Sequence, residues 1–174
     1  MEFLKELIDK TSYLWWKDNE STLEKDAPFY CTRIPDTKTI QESGCNCAGL
    51  INMLHVSRGL TVPGVISKEQ YAGGTYIWFK YLKRAKLLEP IDVEKSYPAG
   101  SLLIRKYRNS VDQGHLAILY SSGPLLEQKL LHCYPEKGIT IDDSVTTSHN
   151  WLKKGYYEFI CINWFHRELP ASKF

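Results

Sequence analysis

Apolar positions in the first half of the chain recur at helical spacing. Phe3, Leu4, Leu7, Ile8, Leu14 and Trp15 place a stripe on a helix over residues 2–16. Leu50, Ile51 and Leu54 do the same over residues 47–58, with Gly59 as the expected stop. A third helix is expected after Ser67, a suitable N-cap; Gly73-Gly74 interrupts it and residues 75–88 continue it. Residues 26–44, with Pro28, Pro35 and Gly44, read as irregular. The second half changes period. Segments 101–107, 115–121, 129–134, 138–142 and 156–165 are rich in Leu, Ile, Tyr and Phe, with Gly or Pro as punctuation, and read as strands. Helices followed by consecutive strands predict an α+β fold, with N-terminal helices packed on a mostly antiparallel sheet of five or six strands.

Composition supports a folded chain. The 174 residues suit one domain, expected over 1–174, and 43% hydrophobic with 24% charged residues excludes low-complexity disorder. No apolar run reaches the length of a membrane span. The first ten residues carry five charges and no apolar stretch, so no secretory signal is expected and a cytoplasmic location is. The five cysteines are then expected to be reduced thiols.

The net charge of +2 is uneven. Residues 1–60 hold 7 basic and 9 acidic side chains, whereas residues 80–108 hold 8 basic and 3 acidic. The basic stretch includes Lys80, Lys83, Arg84, Lys86, Arg105, Lys106 and Arg108. It reads as a solvated face or as a surface for an anionic partner.

Candidate chemistry begins where a loop meets a helix, at Gly44-Cys45-Asn46-Cys47-Ala48-Gly49-Leu50. A thiol in the first turn of a helix lies near unpaired N–H groups and the positive end of the helix dipole, which favour the thiolate. Ala48 and Gly49 leave room for another element to approach. His115 heads an apolar strand, and His132 sits in the next one. If a turn is centred on Gly123-Pro124, His132 lies directly opposite His115 and both project from one face. Cys47, His115 and His132 then supply a nucleophile, a general base and a group that orients the base. Such a set cleaves an amide or related acyl bond through a thioester and calls for no cofactor.

These segments resemble the NlpC-like cysteine peptidases of the papain-like superfamily. Asn46-Cys47-Ala48-Gly49-Leu50 is similar to that family's Asp-Cys-Ser-Gly-Leu signature. Pro98-Ala99-Gly100-Ser101-Leu102-Leu103-Ile104 resembles its Pro-Gly-Asp-Leu strand, and Gly114-His115-Leu116-Ala117-Ile118-Leu119-Tyr120 its His-Val-Gly-Ile-Tyr strand. Leu130-Leu131-His132-Cys133, followed by Gly138-Ile139-Thr140-Ile141, resembles the strand that carries the third polar residue. The motifs keep the family's order over about residues 28–142. The resemblance implies a papain-like fold with Cys47, not Cys45, as nucleophile. It implies that Tyr30, in Pro28-Phe29-Tyr30, lines the substrate or oxyanion site. Asn46 stands for the family's Asp and Ala48 for its Ser, and the Gly-Gly after the Tyr is missing. Without an export signal, the branch implied is the intracellular one, which includes members in large DNA viruses. Peptide, isopeptide, lipid ester and peptidoglycan amide all suit such a triad.

Other residues carry weaker expectations. Cys45 reads as a spectator thiol, Gln41 as a loop residue that could donate to an oxyanion, and His55 as too far along the helix to pair with Cys47. Cys133 and Cys161 read as core; His149 and His166 have no evident role. Cys45, Cys47, His132 and Cys133 offer soft metal ligands, but neighbouring strand residues point apart and Cys-x-Cys is not the usual zinc spacing, so no metal is expected. Trp16, Tyr76, Trp78 and Tyr81 could line a cleft or fill the core. A catalytically silent binding module using the basic 80–108 stretch is the alternative to an enzyme.

Overall fold

A computed structural model describes residues 2–15, 29–143 and 155–165. Trp16, Pro28, His149 and His166 lie outside the described residues. The fold is mixed α+β. Among the described residues, four α-helices appear: α1 (Glu2–Leu7), α2 (Thr37–Ser43), α3 (Cys47–Val56) and α4 (Thr75–Arg84). The strands are β1 (Glu89–Pro90), β2 (Ser96–Tyr97), β3 (Leu102–Arg105), β4 (His115–Leu119), β5 (Gly123–Pro124), β6 (Lys129–Tyr134), β7 (Gly138–Asp143) and β8 (Phe159–Cys161). Six of them form a mostly antiparallel sheet in the order β1-β8-β3-β4-β6-β7, and β2 pairs with β5. No helix among the described residues is long and apolar enough to cross a membrane.

The chain divides into two compact units. One comprises the described residues of Met1–Gly74 together with His132–Thr140; the other comprises Thr75–Leu131 and the described residues of Ile141–Pro170.

In the first unit, α1 is shorter than its hydrophobic stripe predicts. It ends at Leu7, whose carbonyl accepts the N–H groups of Lys10 and Thr11. Beyond it the backbone bonds outward. Asp9, at a φ of 59°, donates to the Ile139 carbonyl at 2.7 Å, and Leu14 donates to the Cys45 carbonyl at 2.8 Å. A helix of this length is marginal by itself, so tertiary partners decide where it stops. The segment expected to be irregular contains α2. Asp36 caps it, accepting the Thr39 N–H at 2.9 Å and the Thr39 hydroxyl at 2.7 Å, and these bonds hold the carboxyl below its ordinary pKa. Gly44, at a φ of 79°, ends α2 with its N–H on the Ile40 carbonyl.

Nearly every position of α3 is buried, including the polar Asn52. The Asn52 amide donates to the carbonyls of Phe29 at 2.6 Å and Gly73 at 3.2 Å. It thereby ties two separate loops to the helix. The helix expected directly after Ser67 does not form. Ser67 turns its hydroxyl back to the Gly64 carbonyl, and Lys68 and Tyr71 both have positive φ, so residues up to Gly74 run as turns.

In the second unit, α4 buries Ile77, Trp78, Tyr81 and Leu82. The Trp78 ring meets Trp164 edge-on with centroids 5.5 Å apart, and the Trp164 indole donates to the Gly100 carbonyl at 2.8 Å. The helix stops at Arg84; Lys86, at a φ of 56°, lets Leu87 donate back to Leu82. Strand β3 is flanked by β4 and β8, both antiparallel, with Arg105 opposite His115 and Leu102 opposite both Ile118 and Cys161. The turn expected at Gly123-Pro124 is not present. These two residues form β5, a 3-10 turn over Leu125–Glu127 follows, and Tyr120 donates to the Lys129 carbonyl at 2.8 Å. That bond belongs to a register two residues longer than a Gly123-Pro124 turn gives, so the direct opposition of His132 to His115 expected from that turn does not follow. The Gln128 amide replaces the simple turn by donating to the carbonyls of Tyr97 and Gly123.

Candidate functional site

Cys47 is the first residue of α3. Asn46 adopts extended backbone ahead of it, and the Asn46 side-chain oxygen accepts the Gly49 N–H at 2.7 Å. That bond fixes the first turn and satisfies one of the donors a helix start leaves over. Cys47 retains 7% of its exposure. Upstream, the Tyr30 hydroxyl donates to the Gly44 carbonyl at 2.5 Å, and Tyr30 itself holds a φ of 48°. Its hydroxyl thus anchors the loop that delivers Cys45, Asn46 and Cys47.

The same unit contains His132, which is fully buried, with its ring 4.7 Å from that of Tyr134. The next residue, Cys133, places its sulfur 3.2 Å from the Cys45 carbonyl. Burial raises the Cys133 thiol well above its ordinary pKa, and a hydrogen bond and repulsion from Cys45 add to it. Cys45 is also fully buried, its thiol toward the Asn46 carbonyl at 3.2 Å. Cys133 is therefore a protonated packing residue, and its bond to the Cys45 carbonyl seats β6 beside the loop that leads into α3.

The second unit contains His115, buried at the head of β4. Its ring lies 6.0 Å from Tyr156 and 6.0 Å from Tyr157. The guanidinium of Arg105, the residue across from it on β3, lies 4.5 Å from the centre of the Tyr156 ring. Asp112 grips Arg105 at 2.6 and 3.2 Å and also accepts from Arg108 at 2.9 Å. Burial pushes the Asp112 carboxyl up, but the two guanidinium groups outweigh it and hold the pKa low. Tyr156, Tyr157, Arg105 and Asp112 were not singled out around His115 by sequence reasoning. The turn residues Asp112-Gln113-Gly114 directly before His115 were the available signal.

The other candidates find structural places. The Gln41 amide donates to the Glu6 carbonyl at 2.7 Å, bracing α2 on α1. His55 is buried near the end of α3, and burial pushes its pKa down to about 4, against a hydrogen bond to the Thr61 backbone. Cys161 is buried on β8. Trp78 and Tyr81 fill the core, whereas Tyr76 is exposed and packs edge-on to Tyr107 at 5.8 Å. Of the basic stretch, Arg105, Lys106 and Arg108 are engaged by Asp112 and Glu158, while Lys83, Arg84 and Lys86 on and after α4 are exposed. No group of three or more His, Cys, Asp or Glu side chains among the described residues is arranged to hold a metal ion. No family model, curated protein or solved structure matches the chain.

Proposed function

We propose that the protein is a papain-like cysteine hydrolase of the NlpC-like kind, in which Cys47, His115 and His132 act together. The Cys47 thiolate attacks the carbonyl of an amide or ester, and the pair of electrons on oxygen is held by first-turn N–H groups of α3. His115, having taken the thiol proton, gives it to the departing amine or alcohol. Water, deprotonated by His115, then attacks the thioester; the acid leaves and Cys47 regains its proton. His132 orients the imidazole and steadies its charged form.

The observation that carries this reading is the place of Cys47: first residue of a helix whose opening turn is fixed by the Asn46 cap and whose delivery loop is pinned by Tyr30. The two histidines stand on β4 and β6, neighbours in the strand order, and this too supports it. The neutralisation of Arg105, Lys106 and Arg108 by acidic neighbours leaves the binding-module alternative with α4 as its remaining cationic face. The test is labelling with a panel of electrophiles bearing peptide, fatty-acyl and amino-acyl groups. Selective capture of Cys47, lost in Cys47→Ala and weakened in His115→Gln, is the expected result. Equal, slow capture of all five thiols overturns the reading.

A further inference from the structure

We infer that Tyr156 is a positioning residue for His115, braced from behind by Arg105 and Asp112. This rests on the reading of His115 as the base that serves Cys47. Arg105 and His115 are direct cross-strand partners, so their Cβ atoms are about 5 Å apart on one face of the sheet. A guanidinium left free there would repel an imidazolium. The chain redirects it. The loop from Lys106 to Gln113 returns so tightly that Gly114, at a φ of 78°, has no room for a Cβ against the Arg105 carbonyl. That return brings Asp112 onto the guanidinium with two hydrogen bonds, at 2.6 and 3.2 Å. Arg108 holds Asp112 from a third direction, and Glu158 holds Arg108.

Pinned in this way, the Arg105 guanidinium covers Tyr156, 4.5 Å from its ring centre. Tyr156 in turn presents itself to His115 at 6.0 Å with planes 67° apart, and to Tyr157 at 5.1 Å with planes 85° apart. Tyr157 closes the triangle at 6.0 Å from His115. An imidazole enclosed by two rings at these angles cannot turn about its Cβ–Cγ bond without displacing them. A general base needs that restraint, because rotation exchanges the nitrogen that faces the thiol for a carbon. Tyr156 is the member of the pair with a cation fixed over its ring, and so the one whose own position is set by charge as well as packing.

The experiment is long-range proton–nitrogen NMR on the full chain with labelled histidine, His115 being assigned by its loss in His115→Gln. At a pH high enough to keep the His115 ring neutral, wild type and Tyr156→Phe are expected to show one dominant tautomer there. Tyr156→Leu is expected to give a tautomer mixture, and Asp112→Asn a smaller shift in the same direction. The His132 signals should stay unchanged throughout. Iodoacetamide labelling of Cys47 is expected to slow about tenfold in Tyr156→Leu and to be retained in Tyr156→Phe. A wild-type tautomer at His115 in both Tyr156→Leu and Asp112→Asn overturns the positioning role, whatever the labelling does. A tautomer mixture with an unchanged Cys47 rate supports the positioning role and overturns the pairing of His115 with Cys47. Should Tyr156→Leu fail to fold, Asp112→Asn, nearly isosteric and remote from the ring, decides the question alone.

Discussion

The sulfur of Cys133 lies 3.2 Å from the carbonyl oxygen of Cys45, to which its thiol donates. Burial is the larger reason that Cys133 resists ionisation, and the neighbouring Cys45 deepens it. Only the thiolate alkylates, and its population falls tenfold for each unit of added pKa. At neutral pH, iodoacetamide should therefore label Cys133 last, at least about tenfold more slowly than Cys47. Peptide mass mapping over a time course reads the order. Cys45 and Cys47 fall on one tryptic peptide, so fragmentation must separate them. Labelling of Cys133 at the rate of Cys47 would contradict the buried pair.

Asn46 offers a second prediction because one side chain serves both the helix and the thiol. Asn46→Ala removes the bond to the Gly49 N–H and should cost about 1 kcal/mol of stability by urea unfolding. The same change frees the first turn to fray, so Cys47 labelling should slow as well. Asn46→Asp restores an acceptor and should recover the stability to within about 0.5 kcal/mol. If stability and Cys47 reactivity fail to fall together in Asn46→Ala, the cap does not organise the thiol's turn.

Residue types at the candidate site were legible in the sequence; their surroundings were legible only where they are local. A cysteine after a capping Asn, ahead of Ala-Gly, can be placed on a helix start because capping acts over three residues. Strands β3, β4, β6 and β7 likewise follow from short apolar runs. The failures are long-range. The stripe over residues 2–16 cannot reveal that Leu14 bonds to Cys45 or Asp9 to Ile139, and those bonds end α1 early. Gly123-Pro124 carries an ordinary turn signal, yet Ser96 and Tyr97, distant in sequence, recruit it into a two-stranded ribbon. The edge-on packing of Tyr156 and His115 joins residues 41 positions apart, and neither spacing nor composition reports on it. In α2 the opposite happened: Asp36-x-x-Thr39 is a local cap, but the helix it starts is too short for hydrophobic periodicity to register.

Gly138 tests how the N-terminal segment is held. It has a φ of 72°, and an added Cβ would collide with the carbonyl of Thr11, the acceptor of the Ile139 N–H. Gly138→Ala thus meets both an unfavourable backbone conformation and a clash with backbone that cannot swing aside. The expected loss is at least about 2 kcal/mol. Gly59→Ala is the control: its φ of 70° is similar, but nothing lies within 4 Å of the new methyl. Its loss should stay near 1 kcal/mol, roughly the backbone term alone. Equal losses in the two variants would mean that the Thr11 contact contributes nothing.

His55 makes stability depend on pH in a direction that can be worked out. Burial lowers its folded pKa to about 4 from the ordinary 6.5. The unfolded chain therefore binds a proton at this residue below pH 6.5, while the folded chain refuses it until about pH 4. The stability contributed by the neutral ring is fully present above pH 6.5. It is lost as pH falls, by about 1.4 kcal/mol per unit, to a total of about 3 kcal/mol near pH 4. Carboxylates titrate at the lower end of this window, so the comparison must be with a variant lacking the imidazole. His55→Leu keeps the site apolar and removes the titration. Urea midpoints measured between pH 7 and pH 4.5 should fall steeply for wild type and distinctly less for His55→Leu. Parallel pH dependence in the two proteins would show that His55 takes up its proton equally in the folded and unfolded chains, and so that its burial at the end of α3 carries no linkage.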